Sequence, residues 1–108
     1  MLKEKSYSEL LHDPRWQKKR LEVLEAADWK CQDCGTSTEE LCIHHTFYRR
    51  NWLPWAYRPD VLRCLCRFCH EERSQIEAWC FTSLARGLNR LTPHQLCEFQ
   101  KELAKTYG

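Results

Sequence analysis

Two short cysteine hooks restrict the folds open to this chain more than any other feature. Cys31-Gln-Asp-Cys34 and Cys66-Arg-Phe-Cys69 each hold two thiols at the same two-residue gap, with residues 35–65 between them. Four thiolates at that spacing suit one tetrahedral structural zinc. A metal held this way draws residues 31–34 and 66–69 to one point, so the intervening segment must leave and return. A competing ligand set exchanges Cys66 for Cys64, but a one-residue gap is not that of a knuckle. Cys42, Cys64, Cys80 and Cys97 are then expected to be small buried apolar residues, as free cysteines often are.

The chain has 108 residues, which fits a single domain, 1–108, near the size where a metal staple adds materially to a small core. Eight cysteines could instead mark a secreted disulfide scaffold. The opening Met1-Leu-Lys-Glu-Lys-Ser6 contains no apolar run of the kind a signal peptide needs. A reducing cytoplasm with bound zinc is the expectation. No stretch approaches the roughly 18 apolar residues of a membrane span. The formal net charge of +2 is uninformative, but its distribution is not. Between His44 and His70 lie five arginines (Arg49, Arg50, Arg58, Arg63 and Arg67), no lysine and a single acid, Asp60. Arginine suits bidentate phosphate contact, so this segment reads as a polyanion surface or as scattered solvated cations.

Local signals order the elements as helix, hook, strand, long loop, strand, hook, helix, helix. Residues 6–12 read as a short helix or turn. Asp13 caps a helix with Pro14 at its first position, running to about Asp28 with Trp16, Leu21, Val23 and Leu24 on its apolar faces. Residues 41–44 and 61–65 read as strands. The loop of residues 47–60 is rich in aromatics and arginine and is broken by Pro54 and Pro59; a loop of that length in a small domain is usually functional. A helix is expected from near His70 to Arg86, stopped by Gly87. Thr92-Pro93-His94-Gln95 is a capping box that opens the last helix, with Leu96, Phe99, Leu103 and Tyr107 on one stripe. That stripe packs on the domain or meets a protein partner.

His44-His45 end the first strand and His70 follows the last cysteine. Neighbouring strand side chains face opposite ways. One imidazole of the pair can therefore join His70 on a divalent cation while His45 is left to deprotonate a water. The competing reading is a pair of hydrogen-bonded surface histidines.

At these residues the chain resembles the zinc-containing HNH endonucleases. The matching motifs are Cys31-Gln-Asp-Cys34-Gly35, Leu41-Cys42-Ile43-His44-His45 and Leu65-Cys66-Arg-Phe-Cys69-His70, a core of residues 29–73. The helix of residues 16–26 and the piece Pro54-Trp55-Ala-Tyr57 also look like small bacterial and phage members. Residues 74–108 lie outside the resemblance as a helical extension. It implies an α+β fold, a small zinc-stapled ββα-metal finger with an N-terminal helix and two C-terminal helices. It also implies metal-dependent hydrolysis of phosphodiester bonds, most naturally in double-stranded DNA. Cys31, Cys34, Cys66 and Cys69 would hold the structural Zn2+. His44 and His70 would hold the catalytic cation (Mg2+, Mn2+, Ni2+ or Zn2+), with His45 as general base.

One position departs from the pattern. The family usually carries Asn five residues before the third cysteine, where this chain has Val61. Asp60 beside it could orient His45, add a carboxylate to the metal, or only cap the second strand. Loss of the role would leave a catalytically inactive zinc module that binds nucleic acid or protein, for example a phage-encoded inhibitor. In the loop, Arg49 and Arg50 are the expected nucleic-acid contacts, with Arg73 one helical turn beyond His70. Arg73 could instead pair with Glu77. Trp55 and Tyr57 are expected to pack.

Overall fold

A computed structural model describes residues 6–107 of the chain. Its described elements are α1 (Tyr7–Leu10), α2 (Pro14–Ala26), β1 (Leu41–His45), β2 (Leu62–Cys66), α3 (Arg67–Leu88) and α4 (Pro93–Tyr107), with 3-10 turns at Pro54–Ala56 and Pro59–Val61. The result is a small α+β protein with one two-stranded antiparallel sheet and four helices. It forms two compact units, one up to Arg73 and one from Ser74 onward. No helix among the described residues is long and apolar enough to cross a membrane.

Local chemistry sets most element ends. The Asp13 carboxylate accepts from the Arg15 N–H at 2.8 Å, and Pro14 opens α2 where its missing N–H costs nothing. The same helix ends in a Schellman arrangement without glycine. Trp29 N–H donates to the Leu24 carbonyl and Asp28 N–H to that of Glu25, each at 3.0 Å, with Asp28 at φ 57°. The Thr92–Gln95 box closes in both directions: Thr92 N–H donates to Gln95 Oε1 at 2.9 Å and Gln95 N–H to Thr92 Oγ1 at 3.2 Å.

In the first unit β1 and β2 pair with Leu41 opposite Cys66 and His45 opposite Leu62. Two strands alone are marginal in water. Here α2 covers them: Val23, Leu24, Tyr57, Leu62 and Cys64 form the main buried cluster, with Ile43, Phe47 and Val61 packed at its edge. A second cluster joins Leu65 to Cys31 and Cys66. The first hook is stitched to β2 by Gln32, whose N–H donates to the Cys64 carbonyl while its Oε1 accepts the Cys64 N–H, both at 2.8 Å.

Three expectations are corrected. The helix after β2 starts at Arg67, not near His70, so the second hook is the first turn of α3. Gly87 does not stop it; the helix runs through that residue to Leu88. Cys80 and Cys97, expected in the interior, are exposed. Both lie in the second unit, where no described side chain is buried. There α4 keeps Leu96 half-buried and leaves Phe99 and Leu103 exposed.

Candidate metal centre and histidine site

The two hooks converge. Ligand atoms of Cys31, Cys34, Cys66 and Cys69 all lie within 4.8 Å of one another. A Zn–S bond of about 2.3 Å in a tetrahedron requires S···S edges of about 3.8 Å. The Cys34 and Cys66 sulfurs are 3.8 Å apart. Each hook also folds its second cysteine onto its first: Cys34 N–H approaches Cys31 Sγ at 3.4 Å, and Cys69 N–H approaches Cys66 Sγ at 3.5 Å. Gly35, at φ 81°, carries the chain out of the first hook through a conformation that a side chain would strain. The four cysteines could hold a metal such as zinc.

The charge balance of the thiols agrees. Burial alone would push the Cys31 thiol up, but hydrogen bonds from the backbone of Cys34, Cys66 and Asp33 outweigh it and bring the pKa down to about 6. The Cys69 thiol moves the opposite way, through burial and then the sulfurs of Cys66, Cys34 and Cys31 beside it. Neighbouring thiolates oppose each other unless a cation stands among them.

Asp33, inside the first hook, gathers two cations. Arg63 Nε reaches its Oδ1 at 2.7 Å; Arg73 reaches Oδ2 through Nε at 2.8 Å and Oδ1 through Nη2 at 2.9 Å. The Arg73 fork, then that of Arg63, holds the carboxyl below its ordinary pKa against its partial burial. Hook, β2 and α3 are thereby tied at one carboxylate. Arg73, expected at the substrate, is committed here.

His44 and His70 come together, one from the end of β1 and the other from the first turn of α3. Their rings meet edge to face with centroids 5.0 Å apart. His44 is buried and His70 half-buried. Beyond the four cysteines, no cluster of three or more potential ligands occurs among the described residues, so these histidines form a two-imidazole pair.

His45 points to the other side of the strand, as strand alternation requires. Its ring stacks on Trp16 (5.2 Å, 26°) and meets the edge of Tyr57 (4.8 Å) and the tilted ring of Tyr48 (5.1 Å). Its Nε2 lies 3.3 Å from the Pro54 carbonyl oxygen. A carbonyl only accepts, so this contact puts the proton on Nε2 and leaves a lone pair on Nδ1. Burial lowers the His45 pKa, opposed by the Pro54 carbonyl and reinforced by His44 and His70. The neutral ring is the favoured form.

Asp60 is exposed, and its carboxylate pairs with Arg58 at 3.1 Å. The carbonyl of Val61 accepts the Thr46 N–H at 2.9 Å, so a backbone group beside Asp60 anchors the residue that follows His45. Tyr57 is buried, as expected. Trp55 is half-buried, with the Arg15 guanidinium 4.3 Å above its ring. Arg49 lies 4.8 Å from the Trp52 ring, and Arg50 is exposed beside it.

Sequence reasoning did not assign Trp16, Pro54, Gln32 or Asp33 to the site. Gln32 and Asp33 carry a local signal, since polar residues inside a hook can bond the segment the metal brings near. The role of Pro54 lies in its carbonyl, which no side-chain pattern reveals. Comparison with protein-family models, curated proteins and solved structures gives no match for this chain.

Proposed function

We propose that this protein is a metal-dependent endonuclease of the ββα-metal kind, built on a structural zinc held by Cys31, Cys34, Cys66 and Cys69. The observation that carries this reading is the meeting of His44 and His70, two imidazoles from different elements, the second directly after the last cysteine of a four-cysteine clasp. A divalent cation held by them would supply Lewis-acid stabilisation of charge on a phosphodiester. His45 supports the role of base: its neutral ring has a lone pair on Nδ1, and Pro54 fixes the tautomer. In the reaction a water oxygen bonds to phosphorus and its proton passes to His45. The bond from phosphorus to the 3′ oxygen breaks, and that oxygen leaves with a proton from solvent. Arg49 and Arg50 would hold flanking phosphates.

A second reading, a non-catalytic zinc module that binds nucleic acid, is favoured by one observation. His45 is only 3 % exposed, boxed by three aromatic rings, whereas a base must meet water. Plasmid cleavage by zinc-loaded protein with added magnesium, manganese or nickel separates the two. The nuclease reading expects nicking that His45→Ala reduces by a hundredfold or more, in line with loss of a general base. No cleavage of DNA or RNA with any of these cations defeats it.

A further inference from the structure

The loop after His45 builds a cleft that the cleavage chemistry does not use. It is about 540 Å³, opens to solvent, and is walled by Tyr7, Tyr48, Trp52 and Tyr57. Tyr57 is its fixed wall, 1 % exposed, with its hydroxyl accepting the Arg49 N–H at 2.9 Å. The others stand around it: Trp52 meets Tyr57 at 5.2 Å, Tyr48 at 6.2 Å, and Tyr7 reaches the edge of Tyr48 at 5.9 Å. Tyr48 is 61 % exposed although it also touches His45, so one ring borders both the cleft and the proposed base. Burial, then Tyr48 and Tyr57, push the Tyr7 hydroxyl up to about 12, so it stays a neutral donor.

The rim is cationic in a selective way. Arg58, Arg63, Arg67 and Arg73 are each paired with a carboxylate. Arg49 and Arg50, which line the cleft, have no ion-pair partner among the described residues. They sit in a tight turn closed by Trp52 N–H to the Arg49 carbonyl at 3.1 Å, with Asn51 at φ 67° in the third position. Asparagine tolerates that conformation, which a type II turn requires. Arg49 lies over the Trp52 ring, so the open aromatic face is that of Tyr48; such a face beside guanidinium groups that no carboxylate engages suits a base and its phosphate together.

We infer that this cleft takes the base of an unpaired nucleotide, so that the preferred substrate is single-stranded or carries an extrahelical base. In a paired duplex the faces of the bases are already stacked on each other; only an unpaired base can offer its face to Tyr48. The inference rests on the nucleic-acid reading above and deepens it.

The test is binding by fluorescence anisotropy, using zinc-loaded protein without added divalent cation, so that affinity is read apart from cutting. The probes are a single strand, a blunt duplex, that duplex with one bulged nucleotide, and an abasic strand. The single strand and the bulged duplex should bind at least tenfold more tightly than the blunt duplex. Tyr48→Ala should remove about tenfold of this affinity while leaving the abasic strand unchanged, and Tyr48→Phe should restore it. Arg50→Ala should weaken every probe, the abasic strand included. Equal binding of single strand and blunt duplex overturns the inference, as does a Tyr48→Ala loss that is equal on the abasic strand. Base-dependent binding without cleavage under any cation would overturn the nuclease reading and keep this one. Cleavage of blunt duplex with no base-dependent binding would do the reverse.

Discussion

At the residue scale, single side chains stand in for missing secondary structure. Gln32 acts as a third strand of one residue, giving and receiving a hydrogen bond with Cys64. Cys64 is fully buried, so its backbone N–H has no water to turn to if the Gln32 amide is removed. Gln32→Ala should therefore destabilise metal-loaded protein by about 1–3 kcal/mol in denaturant unfolding, and a loss below about 0.3 kcal/mol would mean that the contact is dispensable. Tyr7, in α1 at the wall of the cleft, offers a second test. Its pKa is raised to about 12 from an ordinary 10.0, first by burial and then by Tyr48 and Tyr57. A raised folded pKa means that stability from this group is intact below pH 10 and is lost as pH rises through about 12. The difference in tyrosinate absorbance between wild type and Tyr7→Phe should have its midpoint near 12, and a midpoint near 10 would place Tyr7 outside the aromatic cluster.

At the element scale, Asp33 decides how the hook, β2 and α3 are held in register. Its two arginine partners come from β2 and from the second turn of α3, and all three side chains are only partly exposed. Asp33→Asn should cost about 1–2 kcal/mol, less than a fully buried pair because solvent screens it. It should also loosen α3 near His70, read as faster amide exchange over residues 70–74 with the sheet unchanged. Unchanged exchange there would show that the cysteines alone position His70. What was legible in the sequence follows the range of the interactions. The Asp13-Pro14 start, the Thr92–Gln95 box and the hooks depend on residues within four positions of one another, and each takes its expected form. The start of α3 was not legible, because a knuckle turn and a first helical turn share the same contact between the Cys69 N–H and Cys66 Sγ. The end of α2 was legible to within two residues, at Ala26 against the expected Asp28, although Asp28 takes the position that glycine usually fills. The side of the strand on which His45 lies followed from alternation, whereas its burial did not. Trp16, far earlier in the chain, and the Pro54 carbonyl supply that burial.

At the scale of the whole molecule, the question is what holds so little core together. In the first unit most of the buried apolar residues gather into two small clusters, and one of these is made largely of the proposed ligands Cys31 and Cys66. A domain of typical stability holds only about 5–15 kcal/mol, whereas a structural zinc contributes apparent binding energy of about 10–16 kcal/mol at neutral pH. A metal term of that size is comparable to the whole net stability of a typical domain. It also acts where the chain needs it, because the clasp closes the loop of residues 35–65 that carries β1 with His44 and most of the aromatic cleft, and His70 directly follows its last cysteine. Removing the metal should therefore erase the tertiary structure of the first unit instead of softening one end of it. Chelation should abolish the near-ultraviolet dichroism of Trp16 and Tyr57 and expose the amides of residues 41–66 to fast exchange. Cys34→Ser should resemble the chelated protein even with zinc in excess. Added zinc should restore wild type and leave the variant unfolded. A chelated chain that keeps protected amides across β1 and β2 would mean that Val23, Leu24, Tyr57, Leu62 and Cys64 suffice by themselves. The four cysteines would then have to be explained by something other than holding the fold.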